Sequence, residues 1–182
     1  ATDSPGTVGG AAVGNAGAYG GCMADVVRWV TMLKPDGTVS RVGADGLDYG
    51  YRTSALKACQ HGHRSVVLEV GLQLRPGDAQ ALARKVEQIA AQRRMQTPEG
   101  HCAGSVFKRT LQYPAGFLIE QAGLKGRRIG GVEVSVKHAN YLMNVGGATA
   151  AEVRALIELV QEKVRADFEV TLEPEIEFVG EW

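Results

Sequence analysis

The chain has 182 residues, 45% of them hydrophobic and 22% charged, with Lys+Arg and Asp+Glu equal at 20 each. That composition suits a globular protein large enough for one domain, or for a small domain joined to part of another. Zero net charge gives no electrostatic pull toward nucleic acid or an anionic membrane, and no apolar run nears the roughly 20 residues that a bilayer span needs. The N-terminus lacks the basic region and apolar core of a secretory signal, and its first residue, Ala1, points to a fragment or a processed chain. Cys22, Cys59 and Cys102 form no CxxC pair, which fits a reducing compartment and no disulfide framework.

Glycine is in excess at 24, and many of these residues fall within positions 1–21. The stretch has no hydrophobic period. It is poorer in serine and charge than a flexible linker, and Val8, Val13, Asn15 and Tyr19 stand between its glycines. Two readings remain, a linker and a loop whose bare backbone cradles a ligand. Beta-branched residues on both sides of Pro35-Asp36-Gly37 predict a hairpin over 25–42. Ser65–Leu74 predicts a strand with Val67, Glu69, Gly71 and Gln73 on one face. Asp78 then caps a helix whose apolar positions include Leu82, Val86 and Ile89.

From Arg93 to Gly104 the chain reads as a crossover, followed by a short extended piece at 105–110. A helix at 115–122 ends on Gly123 or Gly126, and strands follow at 132–134 and 141–144. Thr149-Ala150-Ala151-Glu152 is a capping box opening a helix to about Phe168, with Val153, Leu156, Ile157, Val160 and Val164 as its buried stripe. Residues 170–179 read as extended. Helices and strands mix without regular alternation, so the class is α+β.

Several polar groups are candidates for chemistry. Arg52, in Tyr51-Arg52-Thr53-Ser54, either clamps a carboxylate or is a surface arginine. Ser105 has no GxSxG elbow, so it is a poor hydrolase nucleophile. In Glu173-Pro174-Glu175 one carboxylate must face inward or toward a cleft. His61 and His63 beside Cys59 lack a further ligand set, and His138 is alone, so no metal site is expected. Gly6–Gly10 follows no strand and is not a dinucleotide fingerprint.

Taken in order, five segments resemble the UDP-N-acetylenolpyruvoylglucosamine reductase (MurB) family. PGTVGGAAVGNAGAYGG (5–21) is similar to its flavin loop, and GYRTS (50–54) to its arginine motif. AGSVFKR (103–109) resembles its serine motif, residues 115–153 the body of its substrate domain, and LEPEIEFVGEW (172–182) its glutamate strand. The short stretch between Tyr51 and Arg93 resembles the form without an extra substrate-covering loop. Ser4-Pro5, Arg109-Thr110 and Phe117 depart from the family's usual residues at those positions.

The resemblance implies the second lobe of a vanillyl-alcohol-oxidase-type FAD-binding domain over 1–93 and an α+β substrate-binding domain over 94–182. The family's first flavin lobe is absent, so either the sequence is a fragment or another chain supplies that lobe. Implied cofactors are noncovalent FAD and NADPH. The implied substrate is UDP-N-acetylglucosamine enolpyruvate, reduced in the cytoplasm to UDP-N-acetylmuramate for peptidoglycan. By the same resemblance Gly6, Thr7, Gly9, Gly10, Asn15, Ala16 and Gly17 line the flavin. Arg52, Ser105 and Glu175 are catalytic and meet in one cleft, and Tyr51, Lys108, Arg109 and His138 bind substrate. Two other outcomes stay open: a related flavin oxidoreductase with a different substrate, and a flavin-free remnant that binds a nucleotide sugar or a partner.

Overall fold

The segment without a hydrophobic period is the first to take regular structure. In the computed structural model, which describes residues 6–58 and 64–180, a short helix α1 spans Val8–Val13. Its N-cap is Thr7, whose Oγ1 accepts the Gly10 N–H at 3.0 Å. Sequence periodicity could not find this helix, because Val-Gly-Gly-Ala-Ala-Val carries no polar side chain to contrast with the apolar ones. Ser4, Pro5, Cys59, His61, His63 and Trp182, named above, lie outside the described residues.

Two compact units divide the chain, Ala1–Ala91 and Gln92–Trp182. In the first, α1 leads into a minimal hairpin of β1 (Gly17–Ala18) and β2 (Gly21–Cys22). Tyr19 and Gly20 form its turn, both with positive φ (52° and 82°), the hand that matches strand twist. Gly17 has a local reason to be glycine. A Cβ there would stand 2.7 Å from both the Cys22 Cβ and the Gly21 carbonyl oxygen.

A three-stranded antiparallel sheet follows, in the order β4 (Val39–Gly43), β3 (Val27–Leu33), β5 (Val66–Leu72). The β3–β4 connection is the expected Pro-Asp-Gly turn. The Thr38 N–H and hydroxyl both donate to Asp36 Oδ1, at 2.9 and 2.7 Å. These bonds hold the Asp36 carboxyl below its ordinary range. One face of the sheet carries the unit's core of Val27, Val30, Met32, Leu47 and Leu56, with Val67 and Val70 packed against it. On the opposite face Trp29 lies over Gly71, where a Cβ would come within 2.2 Å of the ring, and Arg41 stacks on Trp29 at 3.9 Å.

The expected alternation of β5 is corrected by a bulge. Thr31 pairs with Glu69 but Met32 with Val67, so Leu68 is the extra residue, and Val67 falls on the core face while Glu69 and Gly71 do not. After β5, Asp78 Oδ1 accepts the Ala81 N–H at 2.6 Å at the start of α3 (Ala79–Gln96), which follows the single-turn α2 (Ala55–Ala58) in chain order. The helix runs through Arg93 and Arg94, which the sequence reading assigned to a crossover. Its Leu82 and Val86 are 53% and 47% exposed, and Ala90 is its buried residue.

The second unit has a four-stranded sheet in the order β6 (His101–Ser105), β9 (Tyr141–Asn144), β8 (Val132–Val134), β7 (Arg128–Ile129). The strand therefore ends at Ser105, where sequence reading began an extended piece. Helices α4 (Ala115–Gln121) and α5 (Ala150–Phe168) pack on each other, and α5 also packs on β7 and β8. Gly123 stops α4 with φ 71°, as expected. The capping box forms: Thr149 Oγ1 accepts the Glu152 N–H, and Glu152 Oε2 accepts the Thr149 N–H at 2.9 Å. Glu152 also takes the Gly131 N–H, so one carboxylate ties helix start to sheet edge, and these bonds hold its pKa down. Leu156, Ile157, Val160 and Val164 are buried, with Val153 packed beside them. Among the described residues no helix is long and apolar enough to cross a membrane.

Candidate functional site

Sites are built here from two clusters, one in each unit. In the first, the arginine motif is fastened to the glycine-rich segment by three side-chain bonds. Asn15 Nδ2 donates to the Gly50 carbonyl at 2.8 Å, Arg52 Nη2 donates to the Gly17 carbonyl at 2.8 Å, and Ser54 Oγ donates to the Val13 carbonyl at 2.6 Å. Asn15 Oδ1 also accepts the Ala24 N–H at 3.0 Å. Asn15 and Ser54 are buried. Their bonds satisfy backbone groups that would otherwise be costly to bury.

Arg52 has φ 58° and Asn15 φ 46°, left-handed values that cost energy for residues with a Cβ and persist where surroundings hold them. The guanidinium also lies 5.0 Å from the exposed Tyr51 ring. Lys57 Nζ donates to the Arg52 carbonyl at 3.3 Å. The guanidinium is thus tied to the glycine segment through the Gly17 carbonyl, while Lys57 holds the Arg52 backbone.

Along that segment Gly6, Thr7, Val8 and Gly10 are exposed, and Val8 is 57% exposed despite being apolar. Gly9 sits against Val67 of β5. This surface offers backbone without side chains at the positive end of a short helix dipole, together with one apolar side chain. It fits a flavin dinucleotide, whose diphosphate needs N–H donors and whose ring system needs an apolar bed. Ala16 and Gly17 belong to the tethered part, which Arg52 holds.

Tyr49, next to the arginine motif, places its hydroxyl in the interior with no hydrogen-bond partner among the described residues. Burial raises its pKa. Sequence reasoning missed it, because a tyrosine at the end of a polar turn carries no signal of its own.

In the second unit the serine and glutamate motifs are brought side by side. The Glu175 N–H donates to the Val106 carbonyl at 2.7 Å and the Lys108 N–H to the Glu173 carbonyl at 2.9 Å. Residues 106–108 therefore run against 173–175, with Phe107 bridged to Pro174. Ser105 is the cross-strand partner of Tyr141. Lys108 Nζ makes an ion pair with the Glu173 carboxylate. Of the two glutamates, Glu173 is exposed and Glu175 half-buried, so Glu175 is the more shielded carboxylate. Arg109 is exposed.

His138 packs over Gly116 at the start of α4, where a Cβ would stand 2.9 Å from its Cε1, and meets Tyr141 edge-on at 5.0 Å. Its Nδ1 accepts the Asn140 N–H at 3.2 Å, so the neutral ring carries its proton on Nε2. Burial pushes its pKa below the ordinary 6.5. Phe117 stacks on Tyr113 at 5.6 Å, both half exposed. Among the described residues no group of three or more His, Cys, Asp and Glu side chains gathers to hold a metal.

The two clusters lie in two parts of the chain, a unit whose glycine-rich surface suits a flavin and a separate α+β unit. Comparison agrees with both. Residues 1–43 match the FAD binding domain family, and residues 95–179 match the C-terminal domain of UDP-N-acetylenolpyruvoylglucosamine reductase. Over all 182 residues the chain is 46% identical to the UDP-N-acetylenolpyruvoylglucosamine reductase of Rubrobacter xylanophilus, of which it spans 60%. It is 45% identical over 176 residues to that of Chloroflexus aurantiacus, spanning 59% of it. The crystal structure of the Thermus caldophilus enzyme superposes with a TM-score of 0.80 at 34% identity, covering 93% of this chain and 59% of that one. The chain resembles UDP-N-acetylenolpyruvoylglucosamine reductases along nearly its whole length, and it spans about three-fifths of the length of these relatives.

Proposed function

We propose that this chain works within an FAD- and NADPH-dependent reductase that converts UDP-N-acetylglucosamine enolpyruvate to UDP-N-acetylmuramate in the cytoplasm, for peptidoglycan. The observation that carries the reading is the Arg52–Gly17 bond, which fixes a permanent cation beside the flavin-type segment. Gly6, Thr7, Gly9, Gly10 and Asn15–Gly17 are the residues that would hold FAD. When bound, FAD supplies a hydride, first accepted from NADPH, to the terminal carbon of the enolpyruvyl double bond.

Negative charge then develops on the adjacent carbon and spreads into the substrate carboxylate. Arg52 stabilises that charge, since a guanidinium cannot deprotonate and matches a carboxylate in a two-pronged way. Ser105 donates its hydroxyl proton to the carbon. Glu175, the more shielded of the paired glutamates, orients the proton-delivery site from the adjacent strand. Lys108, Arg109, Tyr51 and His138 contact the remainder of the nucleotide sugar. In this reading a neutral His138 is a hydrogen-bond donor through Nε2 and adds no charge.

The test is anaerobic. The flavin-loaded holoenzyme is reduced with NADPH and then mixed with UDP-N-acetylglucosamine enolpyruvate. The reading predicts return of the oxidised flavin spectrum and a product carrying two more hydrogens than the substrate. A flavin that stays reduced would contradict it.

A further inference from the structure

We infer that Asn140 is a positioning residue for the proton-donor segment; the inference rests on the reading of Ser105 given above. The β6–β9 ladder is regular at His101↔Asn144 and Cys102↔Met143, then slips before Ser105↔Tyr141, where Gly104 takes φ 82°. Ser105 therefore sits just past an irregularity, and the ladder that should fix its register ends there. Asn140 takes over at that point. Its side chain is buried, its Oδ1 accepts the Phe107 N–H at 2.9 Å, and its Nδ2 donates to the Phe107 carbonyl at 2.8 Å. Its own carbonyl accepts the Val106 N–H at 2.9 Å.

The carboxamide thus acts as a substitute strand. It presents one donor and one acceptor to a single residue, as a peptide group in a ladder would. Asparagine is suited to this, because an ionised aspartate has no donor and an aliphatic residue has neither group. On its other edge the same stretch is bonded by the 173–175 segment, through the Lys108 and Glu175 N–H groups. Residues 106–108 are clamped between Asn140 and the glutamate strand. Two residues upstream of Phe107 lies Ser105, and the Val106 carbonyl is what Glu175 binds. Asn140 also orients His138 through its N–H. The buried carboxamide therefore fixes the Phe107 backbone, and with it the stretch between Ser105 and the segment that Glu175 binds, while the backbone N–H of Asn140 separately engages His138.

The test uses the flavin-loaded holoenzyme and reads its two half-reactions separately by stopped-flow absorbance. Asn140→Ala is expected to leave flavin reduction by NADPH unchanged. It should slow flavin reoxidation at saturating enolpyruvyl substrate by about 10²-fold, the scale of a misplaced reacting group. Because Asn140 acts through Ser105, adding Asn140→Ala to Ser105→Ala should produce little further slowing. If the alanine variant fails to fold, Asn140→Ser, which keeps one hydroxyl for one of the two Phe107 groups, carries the same comparisons. Unchanged reoxidation, or slowing that multiplies with Ser105→Ala, overturns the inference while the functional reading stands. Unaltered enzyme that does not react with the enolpyruvyl substrate removes both.

Discussion

The two units are of equal length but are held together differently. Among the described residues, the second carries fifteen buried apolar residues in one cluster, running from Val106 to Leu172, whereas the cluster of the first holds five. Unit 1 instead exposes apolar side chains along β5, the connection after it and α3 (Leu68, Leu72, Leu74, Leu82 and Val86). Its glycine-rich and arginine segments are joined by polar tethers from Asn15, Arg52 and Ser54. A core of buried aliphatics resists deformation in every direction. Tethers made of single hydrogen bonds fix a few backbone groups and leave the surface between them open. The difference teaches that unit 2 owes its shape to packing, while the candidate cofactor surface of unit 1 owes its shape to a few directional bonds.

The sharpest way to break this comparison is to truncate one apolar side chain in each unit. Leu156→Ala, at a fully buried position of α5, should cost about 2–5 kcal/mol. Leu82→Ala on α3 should stay within about 0.5 kcal/mol. Denaturant unfolding of each variant measures both, and an equal loss at Leu82 would mean that α3 is covered in solution. Next in size is Asn15→Ala. It leaves the Ala24 N–H without its side-chain acceptor, at about 1–3 kcal/mol if that group stays buried, and leaves the Gly50 carbonyl only the longer bond from the Thr53 N–H. The loss should appear in unit 1 alone and should weaken flavin binding in a fluorescence titration. Flavin affinity equal to that of the unaltered chain would show that the tethers do not shape the cofactor surface.

Smaller effects sharpen the comparison from the side of unit 2. Thr149→Ala removes the α5 cap and should cost about 1 kcal/mol, read as a lower Tm. The pH dependence of His138 gives the smallest. Burial lowers its pKa in the folded state, so between that value and 6.5 the unfolded chain binds a proton that the native one does not. Stability should therefore rise with pH through that window and be complete above it. His138→Asn should flatten the slope, as measured by Tm against pH, and an unchanged slope would show that the ring is not held neutral.

Legibility in the sequence followed the same division. The α5 stripe and its capping box were readable because packing and capping leave strong local patterns, a 3.6-residue period and a Thr-x-x-Glu spacing. The Pro-Asp-Gly hairpin was readable because turn chemistry is local. The β5 bulge was not, since nothing in Val-Leu-Glu distinguishes an extra residue from an alternating one until β3 is laid beside it. Helix α1 was hidden by its glycines and alanines. The candidate site residues were named by resemblance to a family's ordered motifs. Asn15 was expected to contribute backbone, yet its side chain joins residues 24 and 50. Asn140 was missed because an asparagine at a strand entrance looks like a turn residue, and its partner Phe107 lies 33 positions away.

The most direct measurement of the proposed division of labour uses Ser105→Ala in the flavin-loaded holoenzyme. In the proposed reading, flavin binding and NADPH reduction belong to the surface around Thr7–Gly17 and should proceed as in the unaltered enzyme. In the same reading, reoxidation by the enolpyruvyl substrate uses the proton held by Ser105, and should slow by about 10²–10⁴-fold, the usual contribution of a general acid. Stopped-flow absorbance at the flavin band separates the two steps. Slow reduction with normal reoxidation, or unchanged rates in both steps, would contradict the assignment of hydride chemistry to one unit and protonation to the other.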